Sequence, residues 1–176
     1  MRRRLLAFAR AARGTAVIEF TIVVPIMMLL VAAIAEFGLI LNVYNQTNRL
    51  ATQYAIAWGE CSDGTNQNCR TELPSYTSAS TIGNVAPRLA PASVVLQMYE
   101  VTMAGAVPTV TYAYPSGTLP SPDQAVAARA ILTDTQVGVI VTVAYTHTLL
   151  FDRLMSPFLS GRLKPSYTVV QLKGGG

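Results

Sequence analysis

Two carboxylates interrupt the apolar N-terminal run of this chain, and they are the residues there most able to do chemistry. Between Thr15 and Leu41 the only charged side chains are Glu19 and Glu36. An ionised carboxylate at the centre of a bilayer costs about 2.5 to 3.5 kcal/mol on insertion scales, and less near the interface, so Glu19 needs a reason or a partner. A newly freed amine would be such a partner. Five positions before Glu19 stands Gly14, a small residue that closes a basic leader, followed by Thr15. The plainer reading lets Glu19 snorkel toward headgroups near Arg13. Glu36 falls where a spanning helix would leave the bilayer, a place that suits a boundary carboxylate facing water.

Cys61 and Cys69 enclose a polar run of turn formers. A disulfide between them would close a short loop and remove about 2 to 3 kcal/mol of unfolded-chain entropy. A metal site needs more ligands than this neighbourhood offers. His147 is the single histidine and alternates with Thr146 and Thr148 at the end of a β-type run, which marks it as structural or solvated. The sequence shows no phosphate loop, nucleophile elbow or metal-ligand cluster, so the expectation is no enzyme, no cofactor, no metal and no small-molecule substrate. The net charge of +4 is concentrated at Arg2, Arg3, Arg4, Arg10 and Arg13. Basic residues placed just before an apolar run set membrane topology and do not point to a nucleic-acid partner. They keep the N-terminus cytoplasmic and send the rest to the periplasm, where the cysteines can oxidise.

These residues need a helix to carry them. The chain has 176 residues, 51% hydrophobic and 12% charged, with a mean hydropathy of +0.38, which allows one modest domain and one membrane segment. At about 1.5 Å per residue, 16–41 covers about 39 Å, more than the hydrocarbon core of about 30 Å. Beyond it Val43, Thr47, Leu50, Ala51, Tyr54, Ala55 and Trp58 recur at helical spacing. One long helix is therefore expected from Ala16 to Trp58, with Gly59 as a left-handed terminator and Pro25 bending it by freeing the Thr21 carbonyl. Residues 59–93 read as a loop-rich connector with a short helix near Ser80 to Ala90.

Strands are expected at Val94 to Met103, Val107 to Tyr114, Gln136 to Thr146 and Ser166 to Leu172. The first two suit a hairpin, and Pro108 puts the second at a sheet edge. Ser121, Pro122 and Gln124 spell a helix start, with the helix running to about Leu132. Tyr99, Tyr112, Tyr114 and Tyr145 suit core and cross-strand packing. The domain plan is a leader at 1–14, a long helix at 15–58, the connector, a β-rich domain at 94–173 and a flexible tail at 174–176. The fold class is α+β, with the Val43, Leu50, Tyr54 and Trp58 face of the helix packed on a small antiparallel sheet.

The run Gly14-Thr15-Ala16-Val17-Ile18-Glu19-Phe20 resembles the prepilin peptidase site of Tad-type pilins. The EF pair, the following Pro25 and the Glu36-Phe37-Gly38 turn resemble the TadE-like family of minor pseudopilins of tight-adherence pili. The stretch from Arg49 to Ala55 departs from the Ala-rich, Arg-containing segment common in that family. Val139 to Tyr145, with the last strand, resembles the closing hairpin of such proteins. The resemblance implies a pilin-like fold and cleavage after Gly14. It implies helix packing through Glu19, Pro25 and Glu36, with Glu19 paired to the freed amine of a neighbouring subunit. The implied partners are a prepilin peptidase, other pilins or pseudopilins and an inner-membrane pilus platform. The implied place is the bacterial inner membrane, single-pass, or the extracellular pilus.

Two alternatives stay open. The basic leader, apolar core and Ala33-Ile34-Ala35 also fit a signal peptide cut after Ala35, which would release a soluble secreted protein. An uncleaved helix would instead anchor a periplasmic scaffold or binding domain.

Overall fold

The computed structural model of the protein describes residues 2–61, 67–116, 120–148, 150 and 162–174. The chain divides into two compact units, 1–39 with 149–161 and 40–148 with 162–176. Helix α1 spans Arg2–Gly59 and contains Pro25. It begins well before the expected Ala16, because the leader is built from Arg, Leu and Ala, which are strong helix formers. Its apolar part has a mean hydropathy of 2.6 over the window that could cross a membrane, and 6% of that window is buried. By length and composition, α1 can span a bilayer once.

In the second unit, short helices α2 (Gln67–Ser75) and α3 (Ala79–Val85) and a 3-10 turn at Pro91–Ser93 lead into the sheet. Then follow β1 (Val94–Ala104), β2 (Val107–Tyr114), α4 (Pro122–Ile131), β3 (Val137–Tyr145), β4 (His147–Thr148), β5 (Arg162–Leu163) and β6 (Ser166–Leu172). The four-stranded sheet has the order β2-β1-β3-β6, and β4 pairs with β5 separately. All three pairings in the sheet are antiparallel. The fold is α+β, and β2 lies at an edge, where Pro108 loses no ladder bond. The β1–β2 link has Gly105 at φ +62° and no positive φ at Ala106, the pattern of a II′ turn, whose twist matches that of the strands. Asp134 Oδ1 accepts the Gly105 N–H at 2.6 Å.

Side chains alternate across the sheet. One face, with Leu96, Met98, Val139, Val141 and Val143, packs on Val43, Leu50, Ala51, Tyr54, Ala55 and Trp58 of α1. Trp58 has no exposed surface and meets the Tyr112 ring edge-on at 5.5 Å between centroids. The other face, with Tyr99, Val101, Met103 and Ile140, packs on Ala128 and Leu132 at α4. Helix α4 starts as its sequence requires. Ser121 Oγ accepts the Gln124 N–H at 3.3 Å, and Gln124 Oε1 accepts the Ser121 N–H at 2.6 Å. Gln124 then donates to Thr142 Oγ1 at 2.7 Å, and Thr142 bonds its cross-strand partner Thr168 at 2.8 Å.

Three expectations are corrected here. Gly59 does not end α1 in a left-handed conformation, since among the described glycines only Gly105 has positive φ. A Cβ at Gly59 would come within 2.9 Å of the Gln171 side chain, whose flexible end would have to shift. Gly174 is tied down, donating its N–H to the Gly59 carbonyl at 2.9 Å. The connector also contains α2, which no periodicity announced. Tertiary bonds hold that region: Tyr112 Oη donates to the Arg70 carbonyl at 2.8 Å, and Tyr54 Oη to the Tyr76 carbonyl at 2.5 Å.

Packing at Gly138 gives a test. A Cβ there would overlap the Leu132 methyl groups and lie 3.1 Å from the Gln171 carbonyl oxygen, whereas nothing lies within 4 Å of one at Gly83. Gly138→Ala is expected to lower unfolding stability by about 1 to 3 kcal/mol. Gly83→Ala, inside α3, should be neutral or gain up to about 1 kcal/mol. Denaturant unfolding followed by Trp58 fluorescence checks both.

Candidate functional site

The candidate residues of the first unit sit on one continuous helix. Gly14 and Thr15 lie within α1, and only their backbone is described. Thr15 and Glu19 are four residues apart, one turn along the same face. The Glu19 side chain is exposed, and Phe20 beside it is 71% exposed. Val17, Ile18, Ile22 and Val23 around them are exposed too. Glu19 is thus a carboxylate on an otherwise apolar, uncovered stretch of helix, and helix and residue together offer an acceptor to a cation approaching from the side. Pro25, also exposed, leaves its helix without one backbone donor. Thr21 Oγ1 donates back to the Val17 carbonyl at 2.7 Å.

Glu36 contradicts the expectation of a water-facing carboxylate. It is 1% exposed, and its two carboxylate oxygens accept the backbone N–H of Leu150 at 3.3 and 3.0 Å. Ala32, one turn earlier, is 6% exposed. Nothing local to Glu36 hints at this, because the donor stands 114 residues away. Cys61 is half-buried beside the core. Among the described residues no cysteine is free.

Residues 14–55 match the family model described as TadE-like protein. Over these residues the chain is similar to the TadE-like family. The TadE-like match starts at Gly14, holds Glu19, Phe20, Pro25 and Glu36, and stops before Trp58. The match covers 42 of the 176 residues, about a quarter of the chain. No curated protein and no solved structure matches the chain.

Outside the TadE-like segment, the structure assembles a charged cluster that the sequence reading missed. Glu100, on β1, is 3% exposed and bonds Arg70 Nη2 of α2 at 2.7 Å and Lys173 Nζ at 2.9 Å. The Lys173 side chain is 6% exposed, that of Arg70 33%. Thr111 Oγ1 donates to the Glu100 carboxylate at 3.2 Å. Arg70 also lies over the Tyr112 ring, 5.8 Å from its centroid. One signal was available: Glu100 is the only charged residue in the run from Val94 to Met103. His147 takes part in β4 and faces the Tyr145 ring at 6.4 Å.

Burial pushes the Glu100 carboxyl up, but the hydrogen bonds and charges of Arg70 and Lys173 outweigh it and hold the carboxyl below its ordinary value of 4.5. A depressed carboxyl adds stability that is fully present above its unfolded value and is lost as pH falls through the folded value. Unfolding stability of the detergent-solubilised chain should therefore drop as pH falls below 4.5, and Glu100→Gln should remove that part of the acid response. At neutral pH, Glu100→Ala should cost about 3 to 5 kcal/mol, because it leaves buried Lys173 without its carboxylate.

Proposed function

We propose that this chain is a minor pseudopilin that takes part in assembly of a Tad-type adhesive pilus. A prepilin peptidase cuts after Gly14, so that Thr15 becomes the first mature residue and Glu19 the fifth. The observation that carries this reading is the exposed Glu19 on an uncovered apolar helix, within a TadE-like match that itself begins at Gly14. In the membrane, Glu19 takes the Thr15 amine of a neighbouring pilin or pseudopilin. The attraction is strong at low dielectric, but desolvation of both charges offsets much of it. The pair therefore selects alignment as much as it adds affinity, because a misregistered neighbour leaves two bare charges in lipid. Phe20 and Pro25 shape the packing face beside it.

The basic leader stays cytoplasmic. The sheet domain, 94–173, follows its connector in the periplasm, where Cys61 and Cys69 join as a disulfide. The absence of a free cysteine among the described residues supports that pairing. The protein acts through helix packing, with the inner-membrane pilus platform as its setting.

Two substitutions separate the steps. Gly14→Trp should accumulate unprocessed precursor, seen as a mass shift on gels of membrane fractions. Glu19→Ala should be processed normally, while its recovery in sheared pili or in complexes with other pilins falls by about tenfold or more, equal to about 1.4 kcal/mol of lost pairing. Normal piliation in both variants would refute the proposal.

A further inference from the structure

Within the first unit, the side chains of α1 from Val17 to Val31 are exposed apart from half-buried Val24, but Ala32 and Glu36 are covered. These two lie four residues apart, on one face of the helix. One group that reaches Glu36 is the backbone N–H of Leu150, whose own side chain remains 66% exposed. The contact is reciprocal in its chemistry. A carboxylate withdrawn from water needs donors, and a non-helical backbone at lipid level needs its N–H groups satisfied. Glu36 and Leu150 meet both needs at once.

The level of this contact follows from helix geometry. Glu36 comes 17 residues after Glu19, about 25 Å at about 1.5 Å per residue, close to the hydrocarbon thickness of about 30 Å. If Glu19 marks one boundary, Glu36 marks the other. Ile34 and Phe37 beside it are 72% and 63% exposed, as lipid-facing residues would be. Leu150 presents its exposed side chain at that boundary, and its sequence neighbours Leu149 and Phe151 are apolar as well.

We infer that Leu150 is a second membrane contact, inserted at the boundary between headgroups and acyl chains and held at that depth by Glu36. The medium it meets is the lipid interface, where an apolar side chain on an anchored backbone gains by leaving water. This contact requires only that α1 is embedded in a bilayer. It does not depend on entry into a fibre, so it stands or falls separately from the proposed function.

The test uses the full chain alone in phosphatidylcholine vesicles, with bromine placed near the headgroup end of the acyl chains. Trp58 has no exposed surface, so the unmutated chain supplies the background. The extra fluorescence of Leu150→Trp should be mostly quenched by the brominated lipid and shielded from aqueous iodide. Val126→Trp, at a position 61% exposed on α4, should show the reverse. Adding Glu36→Ala to Leu150→Trp should move the fluorophore from lipid quenching to iodide quenching. In the unmutated chain, the Leu150 amide should exchange slowly with deuterium in vesicles, and quickly in Glu36→Ala. This readout needs no tryptophan at position 150. Iodide quenching of Leu150→Trp equal to that of Val126→Trp, or fast exchange of the Leu150 amide in the unmutated chain, would overturn the inference.

Discussion

Leu50, Ala51, Ala55 and Trp58 lose all their accessible surface where the outer part of α1 meets the sheet, and the folded domain depends on this seam. Each fully buried large side chain there contributes about 1.5 to 3 kcal/mol, and alanines between the large residues let helix and strands approach closely. Gly59 continues the same logic, with no side chain where Gln171 passes. The far face of the sheet is closed by α4, whose capping box also places Gln124 to bond Thr142. A helix that must also be apolar on every side nearer the N-terminus can therefore serve two media in turn, provided its outer part is finished by strands.

Three glutamates show three answers to the same electrostatic problem. Glu100 is withdrawn from water and neutralised by Arg70 and Lys173. Glu36 is withdrawn from water and takes a backbone donor from Leu150. Glu19 is left exposed on apolar helix. The first two are satisfied within the chain, at a desolvation cost that close partners offset. The exposed one is the carboxylate that the proposed function assigns to a neighbour's amine, and this contrast puts Glu19 at the centre of that proposal.

What could be read from the sequence was what is decided locally. The strands fall close to where alternation and β-branched residues placed them, and α4 starts at the Ser121-Pro122-Gln124 signal because capping involves residues three apart. The outer face of α1 was legible from its helical period. The charged cluster was not, because Glu100 lies 30 residues from Arg70 and 73 from Lys173. Glu36 was misread for the same reason, since local position said water and a distant backbone N–H decided otherwise. Gly59 looked like a terminator because glycine suits that role, while the fold places beside it a side chain from a strand more than a hundred positions later, Gln171. Helix α2 has little apolar periodicity and is held by its tertiary bonds.

The central claim is that α1 is trimmed at its inner end so that Glu19 can meet a new amine. The most direct measurement is the N-terminal sequence and intact mass of the protein extracted from membranes of its native host. The account predicts a mature chain that begins at Thr15. A chain that still begins at Met1 or Arg2, or one that begins at Glu36 and is recovered without lipid, would contradict it.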